Sequence, residues 1–454
     1  MTVEGLTINS LKKKDLLTLG FMMFSIYFGA GNLIFPPALG QAAGDHTLHA
    51  MLGFMTTGIG LPLLGITAIA LAGGEYVPLL HAKTWPRFAT VLLVILYLII
   101  GPLFAMPRTG AVSFEIGIRP FLSADNLALG QIIYTAIFFA SSYYLALNPN
   151  KIIDRVGRML TPALLIVLLI LFVQAFHAPL GAILPATGAY IDAPFAQGFQ
   201  DGYQTMDLLA SIAIGALVAN AVRMRGITDS RAVGAACLVS GLITVMLMAA
   251  VYGSLAYIGA TSTSVLGQAE NGGQILSAAV GIFFGSAGNL LLAVIIGLAC
   301  LTTCCGITSS AAMFFNKLLK GRVSYERLLL FSIMFSFAAS NVGLTQIIAL
   351  AIPFLVTIYP LIIVFVILSL FDRFIGWRKS IYQGAMALTL VFSLIDGLHA
   401  AGLSSEPVHA LLVAYIPFYN IMMGWVCPAV IGALVGLAVS FFQTAPAAAK
   451  ESHV

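Results

Sequence analysis

Apolar runs, each long enough to span a bilayer as a helix, recur along nearly the whole chain. Crossing the roughly 30 Å hydrocarbon core takes about 20 residues at 1.5 Å per residue. Only 8% of the 454 residues are charged, whereas soluble domains carry about a quarter. A transmembrane β-barrel would show short segments of alternating hydrophobicity instead. The pattern therefore predicts an all-α polytopic membrane protein.

The apolar windows predict twelve transmembrane helices, separated by short polar segments that contain Gly, Pro, Asn and Asp. The first run is too long for the core of a signal peptide and no A-x-A-like cleavage site closes it, so we expect it to be retained. The predicted spans are residues 15–40, 49–72, 88–117, 127–146, 159–178, 203–222, 232–258, 287–316, 326–341, 344–371, 381–400 and 414–441.

The basic residues support this count and give an orientation. With the N-terminus inside, all but two of the 21 Lys and Arg fall in segments predicted to be cytoplasmic. The exceptions are Arg108 and Arg119, at or beyond the outer end of the third span. Both termini are therefore expected in the cytoplasm. The net charge of +4 is scattered over short loops, and nothing indicates a nucleic acid or an obligatory protein partner.

Twelve spans imply two five-helix units of opposite topology, because span 1 starts inside and span 6 starts outside. Many secondary transporters are built from such inverted units. This predicts a first unit at residues 12–181, a second at 199–371, two further helices at 380–441 and a cytoplasmic tail at 442–454.

The stretch SIYFGAGNLIFPP, from Ser25 to Pro37, is typical of a broken helix. Gly29 and Gly31 each disfavour a helix by roughly 1 kcal/mol relative to Ala, and the two prolines lack an N–H. Each unsatisfied backbone group in hydrocarbon costs several kcal/mol, so such a break persists where protein, water or a ligand supplies partners. The alternative is that the glycines permit close helix packing and the prolines produce a kink.

The two half-helices would present opposite dipole ends to the gap. A second half that begins near Leu33 would offer free N–H groups to an anion such as a carboxylate, and Asn32 adds an amide at this depth. The carbonyls around Tyr27 and Phe28, at the end of the first half, suit a small cation.

Asp207 in the sixth span is a functional candidate because an ionisable group inside a span is costly. It could instead be a helix-end charge near the outer interface, and Ser211 to Gly215 offers a softer break in the same span. In the eighth span, Thr302 and Thr303 offer hydroxyl oxygens, which are hard ligands for a group I or group II cation. They could also bond only the carbonyls of their own helix.

Arg108 and Glu115 lie about two turns apart on one face of the third span. They could close an outer gate, pair with Asp207 or form a static ion pair. Asp396 in the eleventh span is a second buried-acid candidate, ranked lower because its helix lies outside the ten-helix unit. No HExxH, Walker A or Gly-x-Ser-x-Gly pattern occurs, which disfavours an enzyme.

Five motifs, in order, resemble the bacterial branched-chain amino acid:cation symporter family. The likeness extends from about residue 12 to 441, and the motifs are FGAGNLIFPP (Phe28 to Pro37), GPLFAMPRTGAVSFEIGI (Gly101 to Ile118), DGYQTMDLLA (Asp201 to Ala210), ACLTTCCGIT (Ala299 to Thr308) and SNVGLTQII (Ser340 to Ile348). The resemblance implies a multi-pass protein of the bacterial cytoplasmic membrane with a leucine-transporter-type scaffold. It also implies uptake of L-leucine, L-isoleucine and L-valine with Na⁺, at a site near the bilayer midplane.

The resemblance further implies the site residues. The backbone at Ala30 and Gly31 would hold the substrate carboxylate, and Asn32 would support the substrate or a sodium ion. The remaining substrate contacts are expected from Tyr27, Phe104, Met106, Asp207, Ser211, Ile212 and Ile214. The sodium ligands are expected from Ser25, Phe28, Asn32, Thr302 and Thr303.

The chemistry of this set leaves several questions open. Asp207 could bind the substrate amine, a cation or Arg108. The apolar side chains would separate leucine from alanine at roughly 0.8 kcal/mol per methylene, but would separate leucine from isoleucine poorly. Proton coupling through Asp207 or Glu115 is the alternative within transport, and a channel or an amino-acid sensor is the alternative outside it.

Overall fold

The computed structural model describes the backbone of residues 12–73, 76–147, 149–227, 229–376, 378–404 and 406–442. Within these ranges all regular structure is helical. The tail predicted at 442–454 lies outside them, apart from its first residue.

The chain forms nineteen α-helices in the described ranges, several of which join into longer spans. In chain order they are α1 (Lys13–Tyr27), α2 (Ala30–Ala43), α3 (Thr47–Met55), α4 (Leu61–Leu71), α5 (Tyr76–Lys83), α6 (Pro86–Leu98), α7 (Ala105–Gly117), α8 (Leu127–Ala146), α9 (Pro149–His177), α10 (Pro194–Asp201), α11 (Asp207–Arg223), α12 (Ser230–Leu266), α13 (Gly272–Leu318), α14 (Tyr325–Ser340), α15 (Leu344–Leu370), α16 (Asp372–Ile375), α17 (Lys379–Ala400), α18 (Glu406–Tyr415) and α19 (Val426–Phe442).

Seven helical segments of the described chain reach 18 residues and are apolar enough to cross a membrane. They are Ala30–Leu71, Pro86–Phe121, Ala124–Ala146, Ser230–Leu266, Gly272–Leu318, Leu344–Leu370 and Lys379–Ala400, with Pro162–His177 and Val426–Phe442 as shorter apolar helices. The all-α membrane architecture is confirmed, whereas the count of twelve spans stays a prediction.

Several predicted spans match helices closely, and others need correction. The helices α8, α14 and α15 coincide with the predicted spans 127–146, 326–341 and 344–371 to within a residue. The eighth span is part of a longer helix, α13, in which Gly285 adopts φ +63° and introduces a kink. The twelfth span starts later than predicted, because residues 416–425 form turns before α19.

The third span contains an irregular turn at Gly101 and Pro102, within the residues 88–117 that are predicted as one span. A π-helical turn, Ile99–Leu103, joins α6 to α7, and Gly101 within it has the non-helical angles φ −101° and ψ −126°. Pro102 follows and has no N–H to offer. The irregular turn directly precedes α7, the helix that carries Arg108.

The helix α2 lies inside the bundle, with twelve of its residues buried. It packs closely on α12 because Gly40 and Gly259 lack a Cβ; an added Cβ would overlap the carbonyls of Ala256 and Pro37, respectively. Small residues let membrane helices approach in this way. Ala30, Gly31 and Asn32 are buried as well, so the start of α2 also faces protein rather than lipid.

Candidate functional site

The first span is broken at Phe28 and Gly29, which lie in extended conformation between α1 and α2. This confirms the predicted break. The second half begins at Ala30 rather than near Leu33, because the extended backbone at Gly29 ends the first half and the two prolines fit inside α2. Ala30 and Gly31 thus form the first turn of α2, and their N–H groups have no carbonyl partner within the helix.

Asn32 connects this break to two other spans. Its Nδ2 donates to Oδ2 of Asp207 at 2.8 Å and to the hydroxyl of Tyr252 at 2.5 Å. Its Oδ1 accepts from the N–H of Gly29 at 3.4 Å. The three side chains are 1%, 4% and 0% exposed, in that order. The amide therefore joins α2, α11 and α12 at the point where the first helix opens.

The sixth span is also broken, but earlier than the sequence predicts. A short helical turn, Gly202–Thr205, is followed by Met206 at φ +61°, and Asp207 then starts α11. The helix α11 continues without interruption through Ser211, so the break predicted there is wrong. Asp207 is a helix-end charge, but a buried one, in the first turn where the helix dipole favours a carboxylate.

Arg108 reaches the same region from α7. Its Nη1 donates to the carbonyl of Gln204 at 2.5 Å and its Nη2 to that of Thr205 at 3.5 Å. Its guanidinium carbon lies 5.2 Å from the ring centre of Phe35. Among the described residues the only ion pairs are Lys83–Asp372 and Glu115–Arg119, so Arg108 is within ion-pair distance of neither Glu115 nor Asp207 in this conformation.

Glu115 belongs to a separate polar group, which we call the Glu115 cluster: Glu115, Arg119, Asn271, Gln274 and Thr345. Its Oε1 accepts from Arg119 at 2.7 Å, from Gln274 at 2.9 Å and from Asn271 at 3.2 Å. Asn271 also donates to Thr345 at 3.3 Å. The cluster connects α7, α13 and α15 at the end predicted to face outside, beside a cavity of about 210 Å³.

The two threonines predicted as cation ligands differ in position. A Cβ added to Gly29 would lie 3.4 Å from Cγ2 and 3.8 Å from Oγ1 of Thr303, so this side chain faces the break. The hydroxyl of Thr302 donates instead to the carbonyl of Ala299 in its own helix at 2.9 Å. Only Thr303 is thus placed beside the gap in the first span.

Ser25 and Phe28, the other predicted cation ligands, lie at the end of α1. The N–H of Phe28 donates to the carbonyl of Phe24, and the N–H of Gly29 is used by Asn32. The last carbonyls of a helix have no donor within it, and a Cβ added to Gly29 would lie 3.9 Å from the carbonyl oxygen of Tyr27 and 3.8 Å from Oγ1 of Thr303.

The residues predicted to surround the substrate side chain lie in different apolar groups. Phe104 and Ile212 share one buried cluster, whereas Met106 belongs to another. The hydroxyl of Tyr27 donates to the carbonyl of Pro62 at 3.3 Å, so it points toward α4.

Ser211 and Ile214 are two further residues predicted to contact the substrate. Ser211 donates to the carbonyl of Leu208 at 2.6 Å and packs against Gly65 of α4. The side chain of Ile214 lies outside the described part of the structure.

Sequence reasoning missed Tyr252, Gln204 and Thr205. Tyr252 is a hydroxyl in an otherwise apolar stretch, and a polar group inside a span is a usable signal. Gln204 and Thr205 contribute backbone carbonyls, which no side-chain pattern reveals. Met206, which directly follows these two residues, adopts a left-handed conformation. Glycine is the usual sequence signal for that conformation, and this position has none.

Two solved structures share this fold. One is Mhp1, a nucleobase-cation-symport-1 family transporter, in a closed conformation with bromovinylhydantoin bound; its TM-score is 0.56 at 14% identity, over 94% of this chain and 92% of that chain. The other is MhsT in complex with L-phenylalanine, with a TM-score of 0.54 at 17% identity, over 93% and 98% of the two chains. The leucine-transporter-type fold expected from the sequence is confirmed.

The sequence comparisons extend over almost the whole chain. It is 46% identical over 434 residues to the branched-chain amino acid permease BraB of Bacillus subtilis, which is 96% of this chain and 97% of the relative. It is 44% identical over 418 residues to the branched-chain amino acid transport system 2 carrier protein of Pseudomonas aeruginosa, at 92% and 94% coverage. The model of the branched-chain amino acid transport protein family matches residues 12–443. The chain therefore belongs to the branched-chain amino acid transport protein family.

Proposed function

We propose that the protein is a sodium-coupled symporter that carries leucine, isoleucine and valine across the bacterial cytoplasmic membrane by alternating access. The observation that carries this proposal is the broken first span, at which Asn32, Asp207 and Tyr252 form one buried hydrogen-bonded group. The names of the permease relatives support the substrate class, since each refers to branched-chain amino acids.

The polar groups at the break match the two charges of an amino acid. The first turn of α2 provides free N–H groups and the positive end of a helix dipole, which suit a carboxylate. The buried carboxylate of Asp207 suits an ammonium group. A zwitterion that binds between them would replace water at backbone and side-chain groups that hydrocarbon cannot satisfy.

The opposite side of the break suits a sodium ion. The carbonyls at the end of α1 and the hydroxyl of Thr303 are hard oxygen ligands of the kind such cations prefer. Thr302 is a weaker candidate because its hydroxyl is turned to the carbonyl of Ala299 in its own helix, whereas Thr303 lies against Gly29 at the break. We therefore assign Thr303, and not Thr302, to the sodium site.

Proton coupling through Asp207 is the second candidate, favoured by the burial of this carboxyl at the break. Glu115 is less suited to that role, because it is ion-paired with Arg119 at 2.7 Å at the far end of the span. Sodium coupling and proton coupling differ in the ion gradient that drives uptake, so an uptake experiment distinguishes them directly.

The test uses purified protein in proteoliposomes, with labelled leucine and a panel of unlabelled amino acids. Sodium should tighten leucine binding, and leucine should tighten sodium binding by the same factor. Leucine, isoleucine and valine should compete with one another, whereas alanine should compete weakly. Equal leucine affinity in sodium and in choline would exclude sodium coupling, and uptake that follows a pH gradient alone would favour Asp207 as a proton carrier.

The residue-level test is the pair Thr303→Ala and Thr302→Ala. Loss of one hydroxyl ligand should raise the sodium concentration for half-maximal uptake about tenfold for Thr303→Ala, equal to about 1.4 kcal/mol. Thr302→Ala, a neighbour on the same helix, serves as the matched control and should change it less than twofold. The same shift for both variants would argue against a sodium ion bound by Thr303.

A further inference from the structure

Arg108 is a buried cation without an ion-pair partner. It is 5% exposed, and its terminal nitrogens donate only to the neutral carbonyls of Gln204 and Thr205. Its Nε is buried and has no hydrogen-bond partner. Neither ion pair of the described chain includes it, although the charge of Asp207 acts on it from a greater distance. A buried charge held in this way is costly unless a further anionic partner joins it.

The guanidinium of Arg108 lies against the positive end of α2. A Cβ added to Gly31 would lie 2.8 Å from its Nη2 and 3.2 Å from its Cζ. Gly31 is the second residue of α2, so its N–H belongs to the unpaired first turn. The helix dipole adds partial positive charge at this end. Two positive groups thus meet at Gly31, and they repel each other until an anion adjoins both.

The anion that fits is a carboxylate attached close to an ammonium group. Asp207, the acid of this region, accepts from Asn32, and Asn32 directly follows Gly31 in the same turn of α2. Arg108 and the free N–H groups on one side, and Asp207 on the other, therefore lie beside the same turn of helix. An amino acid requires such an arrangement, because its carboxylate and its ammonium group are attached to one α-carbon. We propose that Arg108 and the first turn of α2 bind the carboxylate of the transported amino acid, a role that rests on the proposed function.

In this role Arg108 determines specificity for ligands that carry a carboxylate. A carboxylate competes well with the carbonyls of Gln204 and Thr205, because charge-assisted hydrogen bonds are about twice as strong as neutral ones. When the guanidinium turns to the substrate, it releases the segment between α10 and α11. Binding of the carboxylate therefore acts on the sixth span as well as on the first.

The test compares leucine with leucinamide, which keeps the ammonium group and the side chain but lacks the carboxylate. Calorimetry measures the binding of each to full-length protein in nanodiscs with sodium present. The wild type should prefer leucine about 100-fold, since two charge-assisted bonds separate the ligands. Arg108→Gln should reduce this preference below about tenfold by weakening leucine alone, and Arg108→Lys should lie between.

A second variant keeps the arginine and displaces it. Gly31→Ala places a methyl group against the guanidinium and should also reduce the leucine preference. Its matched control is Gly253→Ala, where an added Cβ would meet no atom within 4 Å. Arg225→Gln controls for loss of an arginine, since Arg225, in the turn after α11, donates to the carbonyl of Ala221 at 2.7 Å. Both controls should keep the wild-type preference.

The outcomes separate this inference from the proposed function. A wild-type preference in folded Arg108→Gln, or in Gly31→Ala if the former does not fold, overturns the role of Arg108. Leucine binding by the wild type that ignores sodium overturns sodium coupling, while the preference for leucine over leucinamide still decides the role of Arg108.

Discussion

Asn32 is the residue on which the geometry of the site depends most. Its Oδ1 fixes the N–H of Gly29 at the break, and its Nδ2 holds Asp207 and Tyr252 together. Both amide hydrogens and one acceptor site of the oxygen are used in this way, so the positions of the three partners are coupled. The carboxyl of Asp207 is thereby held at a fixed place beside the first turn of α2.

The first prediction concerns Tyr252, whose hydroxyl accepts from Asn32 and lies 3.4 Å from Asp207. Tyr252→Phe leaves one Nδ2 hydrogen of Asn32 without a partner in a buried place. Leucine binding should weaken about tenfold, which is about 1.4 kcal/mol, and thermal stability should fall. Calorimetric binding and a thermal melt of purified protein measure the two effects.

Tyr257→Phe is the matched control for this prediction, because Tyr257 lies on the same helix and stacks on Phe176 at 4.7 Å between ring centres. The control should bind leucine with wild-type affinity. If Tyr252→Phe also bound and melted as the wild type, the hydroxyl would have no part in holding the site.

The residues that sequence reasoning placed correctly share one physical property. Gly29 acts through local backbone geometry, and Asn32 places an amide at the same depth in the span. Both features can be predicted from one short stretch of sequence. The hydrogen-bond partners of Arg108 cannot be predicted from the local sequence, because they depend on how α7 packs against the sixth span. Tyr252 is missed for the same reason, since its hydroxyl meets Asn32 across more than 200 residues of chain.

At the scale of elements, the position of the candidate site is explained by where helices end rather than by their interiors. The chain breaks the first span at Gly29 and the sixth at Met206, and the two breaks meet through Asn32 and Asp207. The first break follows from glycines, so the sequence predicts it. The second arises at a methionine in left-handed conformation, which costs energy and is stabilised by its tertiary surroundings, so local propensity does not indicate it.

The second prediction concerns the Glu115 cluster, which connects α7 to the start of α13. Glu115→Gln keeps an acceptor for Asn271 and Gln274 but loses the ion pair with Arg119. Because charge-assisted bonds are about twice as strong as neutral ones, the start of α13 should open more often. Hydrogen exchange in residues 272–280 should rise about tenfold, the equivalent of about 1.4 kcal/mol.

Glu326→Gln, at an exposed position near the start of α14, is the control for this measurement and should leave exchange unchanged. Unaltered exchange at 272–280 in Glu115→Gln would show that the cluster does not hold α13 in place. The sequence prediction of a gate at Glu115 would then lose its physical basis.

At the scale of the whole molecule, the site lies where two apolar cores meet. One core contains Tyr27, Phe28 and Ala30 of the first span, and the other contains Met206 and Leu208 of the sixth. Polar contacts through Asn32 and Arg108 join the two cores at this boundary. If the protein works by alternating access as proposed, this boundary is where one group of helices would rock against the other.

The last prediction concerns the ion pair that ties distant parts of the chain together. Lys83, at the end of α5, lies 2.8 Å from Asp372 in α16, and its Nζ is 5.1 Å from the ring centre of Tyr382 in α17. The two charged side chains are 5% and 8% exposed. Breaking a buried ion pair from one side is strongly destabilising, so Lys83→Met and Asp372→Leu should each destabilise the protein by about 3–5 kcal/mol.

The double variant Lys83→Met with Asp372→Leu distinguishes this electrostatic cost from simple loss of packing. It removes both charges and fills the same space with apolar groups, so it should recover most of the lost stability. Lys379→Met, at an exposed position that starts α17, should have no effect. Thermal unfolding of the wild type, the two single variants and the double variant gives the coupling energy, and additive losses in the double variant would show that the pair contributes through packing alone. Recovery would mean that the charges themselves, rather than side-chain packing, fix how α5 meets α16.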